Sequence, residues 1–499
     1  MAFAITQTCC ADASCVSVCP VNCIHPTPEE RAFGSTDMLH IDPETCIDCG
    51  ACADVCPTDA IFPVDRLVGS DRAYAQINAD YYADDEQALE WDPPAFPTSL
   101  PSGRRPLDVA VVGSGPAAGY ALESLLTTNT RVTVYERLGR PGGLLRYGVA
   151  PDHLATRRMA ERFAAHHLNP RVRVRLGTEV GTDVSHAELQ ERHDAVVYAV
   201  GASADRRLDV PGAELVGSLS ARTFVGWYNG HPDVPQDAVD LSTERVTIIG
   251  TGNVALDCAR ILLSDPDRLA ATDIAPHALA ALRRSRVRHV VIAGRRGPAD
   301  ASYSRGELIA LQQHADFRLV VVETPGVVAE IGTAGPNSKA SWLAGVPTRP
   351  VAALSEPPTE RCLILLFGSR ATSFGAAPGG RIGTARLEVS GSEAAVDVTT
   401  GLVLSSIGYR GTPVAGLPFD DVTGTIPHQA GRVVDPVTGS LVPSTYVTGW
   451  IKRGPSGGIG ANRLCAHETV SAVLQDAADR PPRRVSAGRS RGGSPGRST

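Results

Sequence analysis

No run of eighteen consecutive apolar residues occurs anywhere in this 499-residue chain, which excludes a membrane-spanning helix. The N-terminus lacks a basic stretch followed by an apolar one, so no secretory signal is legible and the cytoplasm is the expected compartment. Lysine is missing from residues 1–100, where 17 acidic residues face three arginines for a net charge of −14. Acid is missing from the last twenty residues, which carry six arginines and little that is apolar. Residues 101–479 are left near +1 within a total of −7, so one uniform surface is excluded and separate modules are indicated. Beyond residue 56 cysteine is scarce, with only Cys258, Cys362 and Cys465 scattered singly. Hydrophobic residues make up 43% and charged residues 20%, which excludes wholesale disorder. The length corresponds to about three domains.

What is present begins with cysteine. Nine of the twelve lie in the first 56 residues: Cys9, Cys10, Cys15, Cys19, Cys23, Cys46, Cys49, Cys52 and Cys56. Without a secretion signal, such a cluster points to metal rather than to disulfides. Cys46-x2-Cys49-x2-Cys52-x3-Cys56-Pro57 matches the bacterial iron–sulfur run, whose fourth cysteine serves the other of two clusters. A zinc knuckle shares the CxxC spacing but not the closing Cys-Pro. The first half repeats the run as Cys9-x2-Asp12-x2-Cys15-x3-Cys19-Pro20, with Asp12 where a cysteine is expected. Either the site loses one iron and becomes [3Fe–4S], or Asp12 holds a labile fourth iron of a [4Fe–4S] cluster. The three-iron form is favoured, because an oxygen ligand holds that iron less firmly than a thiolate. Crossed ligation gives Cys9, Cys15 and Cys56 to the first cluster and Cys19, Cys46, Cys49 and Cys52 to a second, [4Fe–4S] cluster. Cys10 and Cys23 are left to packing or support, with Cys10 a possible substitute for Cys9. Over residues 1–66 the module resembles bacterial seven-iron ferredoxins, departing from them in the tight spacing before Cys15 and in the inserted stretch 26–37.

Two glycine-rich turns follow. Gly113-x-Gly115-x-x-Ala118 sits between the strand pattern 107–112 and a helical pattern over 120–126. Here Gly113 permits a tight turn and Gly115 a close approach of pyrophosphate to a helix N-terminus. The next strand ends at Glu136, where a carboxylate can bind both ribose hydroxyls. Gly250-x-Gly252-Asn253-Val254-Ala255 repeats the device, but its following strand, 289–293, ends in Gly294-Arg295-Arg296. Two guanidiniums suit the 2′-phosphate of NADP. An acid-ended and an arginine-ended fold in one chain imply resident FAD and visiting NADPH. A flavin is the converter required between hydride and one-electron clusters.

Four segments resemble the adrenodoxin-reductase-like ferredoxin–NADP reductases: Gly113-Ser-Gly-Pro-Ala-Ala, the run 146–153 ending Ala-Pro-Asp-His153, Gly250-Thr-Gly-Asn-Val-Ala-Leu-Asp257, and Gly449-Trp-Ile-Lys-Arg-Gly-Pro455. The whole chain is similar to fused ferredoxin/ferredoxin–NADP reductases. That resemblance implies FAD contacts at Ala117, Glu136, Leu144, Val180, Trp450 and Gly457, Gly458 and Ile459. It implies NADP contacts at Arg206, at the loop Asn253, Val254, Ala255 and Leu256, at Arg295 and Arg296, and at Glu307. His153 is the titratable candidate beside the flavin; the acid that family members pair with it is replaced here by Ala310.

The expected fold class is α/β: a small α+β ferredoxin followed by two Rossmann-like domains, the NADP domain inserted in the FAD domain. The expected boundaries are 1–66 for the ferredoxin, 67–106 for an acidic, Pro-rich linker with room for one helix, 107–205 and 402–479 for the FAD domain, 206–401 for the NADP domain, and 480–499 for a disordered basic tail. The expected activity is that of a ferredoxin–NADP+ reductase, exchanging electrons with an external partner such as a ferredoxin or a cytochrome P450 system. Direction is left open. An electron-feeding subunit like the small subunit of glutamate synthase, and a non-catalytic electron carrier, are the competing readings. The basic tail suits a solubilising end better than a nucleic-acid contact.

Overall fold

The computed structural model describes residues 2–28, 30, 32–33, 36–83, 105–335, 338–355, 359–392 and 395–479. Most of the expected linker and the whole basic tail lie outside the described residues. Near the N-terminus, two short antiparallel ladders frame the cysteines: Phe3–Ile5 with Ile61–Pro63, and Ile24–His25 with His40–Ile41. A helix, Ala73–Tyr82, lies across both ladders. Its buried Asn78 accepts from the Ile5 and Ile41 amides at 3.1 and 2.8 Å and donates to the Ile5 carbonyl at 2.8 Å. Tyr82 donates to the His40 carbonyl at 2.7 Å. The helix was expected within a linker, but these bonds make it part of the cysteine module, which therefore runs past residue 66.

The second module is a seven-stranded sheet, ordered 428–429, 432–434, 441–447, 195–198, 108–112, 131–136 and 172–176. Its five strands from 441–447 onward are parallel. Val109, Ala110 and Val111 are fully buried, as expected of a strand covered on both faces. Helices Pro116–Leu126 and Ala461–Asp479 close one face.

The chain leaves this sheet after Tyr198 and returns beside itself, with Ala204–Asp205 antiparallel to Tyr409–Arg410. Between the two crossings lies a second seven-stranded parallel sheet, ordered 218–220, 402–405, 245–249, 289–293, 362–366, 318–323 and 348–350. A three-stranded antiparallel sheet, 369–376, 382–389 and 396–399, is attached to it. One expectation is corrected here. Leu402–Ser405, assigned above to the second part of the FAD domain, pairs in parallel with both Ser218–Ser220 and Arg245–Ile249. A run buried on both faces carries no mark of which sheet receives it, and the inserted domain extends to the crossing at Tyr409. Among the described residues no helix is long and apolar enough to cross a membrane.

Candidate functional site

Each glycine-rich turn stands where its sheet opens. Gly113 has φ +103, and a Cβ there would fall 2.5 Å from the Ala199 carbonyl oxygen; Gly250 has φ +121, with Ser406 O at 2.1 Å. Both turns therefore press on the neighbouring strand's carboxyl end, the crevice in which open α/β sheets take ligands. Helices start directly behind them at Pro116 and Asn253, aiming positive dipole ends into the crevices.

In the first crevice Glu136 is buried, with its carboxylate accepting from the Leu138 amide at 2.8 Å and from the Ser114 hydroxyl. Ser114 Oγ in turn accepts from Gly142 N at 3.1 Å. This places the 142–144 turn, and Leu144, alongside Gly115. Ala117 and Ala118 are buried on the helix, and Gly449 backs onto Ala117. Trp450 follows; its indole N–H donates to the Ser456 and Gly457 carbonyls at 3.1 and 3.3 Å, and its ring tilts against Tyr409 with centroids 5.6 Å apart. Gly457, Gly458 and Ile459 lead from there into the last helix. Val180 is half-buried and bridges to Val184. Cys465, which sequence reasoning left unassigned, accepts from the Gly449 amide at 3.2 Å and fixes that turn. These open donors, small residues and buried acid fit an adenine dinucleotide.

In the second crevice Asn253 Oδ1 accepts from Ser304 N at 2.8 Å, and Arg296 donates to Ser302 Oγ at 2.9 Å. The arginine turn is thereby tied to the glycine turn. Arg295 lines a cavity with Arg370, Glu388 and Ser390. Val254 stays half-buried, whereas Ala255 and Leu256 place their side chains in the core and close their amides on the Gly252 carbonyl. Arg206 sits at the interdomain crossing, its amide donating to Gly408 O at 3.1 Å.

Between the crevices lies a charged group only partly foreseen. His153 Nε2 is 3.8 Å from carboxylate oxygens of both Asp257 and Glu307. Two carboxylates thus face this imidazole, although residue 310 is alanine. Arg260 donates to His153 Nε2 at 2.9 Å and to Asp152 at 3.2 Å, and also pairs with Asp257. Burial pushes Asp257 from its ordinary 3.8 up to about 6, against the pull of Arg260 and His153. A raised carboxyl pKa favours folding below the unfolded value, and that contribution is lost as pH rises through about 6. The melting temperature of the wild type relative to Asp257→Asn should therefore decline between pH 4 and pH 6, as measured by calorimetry across that range. A constant difference would refute the assignment.

The cysteines form two groups, and none of the twelve is in a disulfide. Cys9, Cys15 and Cys56 lie within electrostatic reach of one another, and Cys9 accepts from the Ala11 amide at 3.4 Å. Cys19, Cys46, Cys49 and Cys52 line one cavity with Cys23 and Phe3. Cys23 donates its amide to Cys19 Sγ at 3.4 Å. Ala11, Ala13, Asn22, Asp48 and Asp59 all hold positive φ, a costly backbone that curls the chain around each group. Burial pushes Cys9 up to about 11 and holds Cys10 and Cys15 well above the ordinary 9.0. Thiols so placed ionise when a cation supplies the compensating charge, which fits iron. Asp12 is otherwise engaged: its carboxylate accepts from Ser14 N and Oγ at 3.0 and 2.7 Å, with Arg162 at 3.7 Å.

The family comparisons agree with this geometry. Residues 39–62 match the 4Fe-4S binding domain and residues 107–288 the pyridine nucleotide-disulphide oxidoreductase family. A probable ferredoxin/ferredoxin–NADP reductase of Mycobacterium tuberculosis is 47% identical over 95% of this chain and 84% of its own length. The mitochondrial NADPH:adrenodoxin oxidoreductase of Arabidopsis thaliana is 37% identical over 74% of this chain and 82% of its own. The solved structure of Mycobacterium tuberculosis FprA in complex with NADPH superposes with a TM-score of 0.66 at 40% identity, over 75% of this chain and 85% of that one. With a cysteine-caged module joined to two nested nucleotide folds, and a relative alike along nearly the whole length, the chain belongs to the fused ferredoxin/ferredoxin–NADP reductases and is an oxidoreductase.

Proposed function

We propose that the protein moves electrons between NADPH and ferredoxin-type clusters in its own N-terminal module, and from these to an external one-electron partner. The observation that carries the reading is the contrast between the crevices: buried Glu136 in one, exposed Arg295 and Arg296 in the other. The first suits FAD, held by Gly113, Gly115, Ala117, Ala118, Leu144, Val180, Trp450 and the 457–459 loop. The second suits NADP, held by Gly250, Gly252, the 253–256 turn, Arg206 and the paired arginines. Bound flavin supplies the exchange between a two-electron hydride and single electrons. The chain's own part is positional. Crevices at the two sheet openings orient the dinucleotides, and the His153–Arg260–Asp257 group with Glu307 fixes the charge between them.

Cys9, Cys15 and Cys56 would hold the first cluster, and Cys19, Cys46, Cys49 and Cys52 the second. Because Ser14 and Arg162 already engage Asp12, the three-iron form is preferred for the first. Anaerobic NADPH titration followed by EPR is the direct test. It should bleach flavin absorbance, abolish a three-iron signal and raise a four-iron one. Clusters that stay oxidised while the flavin bleaches would defeat the reading.

A further inference from the structure

The two cysteine groups are unequal neighbours of the nucleotide domains. The Cys10–Asp12 turn lies directly on the start of the last helix. Gly460 N donates to the Cys10 carbonyl at 2.8 Å, and Arg463 donates to the Asp12 carbonyl at 2.7 Å and to Ser14 Oγ at 3.2 Å. The approach leaves no room for a side chain: a Cβ on Gly460 would fall 2.1 Å from the carbonyl carbon and oxygen of Ala11, backbone atoms that cannot swing aside. Gly460 directly follows the 457–459 loop, and Cys10 directly follows Cys9. One hydrogen bond thus joins the segment proposed to hold flavin to the segment proposed to hold the first cluster.

The second group faces the other way. Every residue lining its cavity belongs to the cysteine module, Cys49 is exposed, and Ile47 beside it is 58% exposed. Two short turns connect the groups, Val16–Val18 between Cys15 and Cys19, and Ala51–Asp54 reaching toward Cys56.

We infer that the order of transfer is fixed: the Asp12-bearing first cage is the obligatory relay from the nucleotide domains, and the second cage, at Cys49, is the exit. The inference rests on the function proposed above. Each NADPH becomes NADP+ with release of one proton and two electrons, and two molecules of a one-electron acceptor are reduced in turn. No further reactant is required.

Two variants of the full-length, cofactor-loaded protein test the order. In Cys49→Ala, whose second cage lacks one thiolate, rapid-freeze EPR after mixing with NADPH should show the first cluster still becoming reduced, while cytochrome c reduction falls about tenfold or more. In Arg463→Glu, a carboxylate is set against the Asp12 turn. Hydrogen exchange at residues 11–14 should rise and both clusters should be reduced about tenfold more slowly, with flavin bleaching by NADPH unchanged. A first cluster that stays oxidised in Cys49→Ala would make the second cage the entry and overturn the order. So would unaltered cluster reduction in an Arg463→Glu protein whose 11–14 amides have loosened. A wild type whose flavin NADPH does not bleach fails at an earlier signal, and there the reductase reading falls together with the order.

Discussion

Replacing Arg295 and Arg296 together with alanine should raise the KM for NADPH roughly a hundredfold or more while leaving NADH kinetics nearly unchanged. The magnitude follows from two charge-assisted hydrogen bonds to one phosphate, each worth about 1.5–3 kcal/mol, with tenfold per 1.4 kcal/mol. The geometry says why the effect should be confined to the phosphate. Arg296 is held to Ser302, and Ser302 N donates to Thr251 of the second glycine turn at 3.3 Å, so the guanidinium is fixed relative to the dinucleotide crevice. Arg295 opens onto a cavity whose wall also carries Arg370. Steady-state kinetics with both nucleotides decide the matter. An equal loss for NADH and NADPH would mean that the arginines support the fold of the turn and do not read the phosphate.

The second large effect concerns the cysteine module. Asn78→Leu should destabilise it by roughly 3–9 kcal/mol, because the Ile5 amide and carbonyl and the Ile41 amide lose a buried partner at about 1–3 kcal/mol each. Against a typical domain stability of about 5–15 kcal/mol, that loss is enough to empty the cages. Iron content and thermal melts of the purified variant should both fall, while the visible spectrum of the flavin persists. Asn78→Leu protein with full iron and an unchanged melt would show that the helix Ala73–Tyr82 is not needed to hold the two ladders together.

Much of this architecture was legible. The turns at Gly113 and Gly250, the strands behind them and the α/β class follow from local pattern, since a tight turn between a buried strand and a helix leaves a strong imprint on sequence. The return strand at Leu402 was misplaced because an apolar run records burial and not the identity of its sheet. The helix at Ala73 looked like a linker because its polar anchoring rests on two isolated side chains, Asn78 and Tyr82, which leave no periodicity. The Asp257–Arg260 pair lies one helical turn apart, but nothing local announces that both will meet His153. Gly460 and Arg463 were silent for the same reason: their partners lie about 450 positions away.

The chain passes between the nucleotide domains through one antiparallel pair, Ala204–Asp205 with Tyr409–Arg410, and Arg260 ties the same two domains again through Asp152 and His153. The cysteine module touches both of these domains, the inserted one by Asp80 with Arg305 at 3.4 Å and the other by the Asp12 turn on Arg463. The three modules therefore meet pairwise, and none of them can be displaced without breaking polar contacts to both of the others.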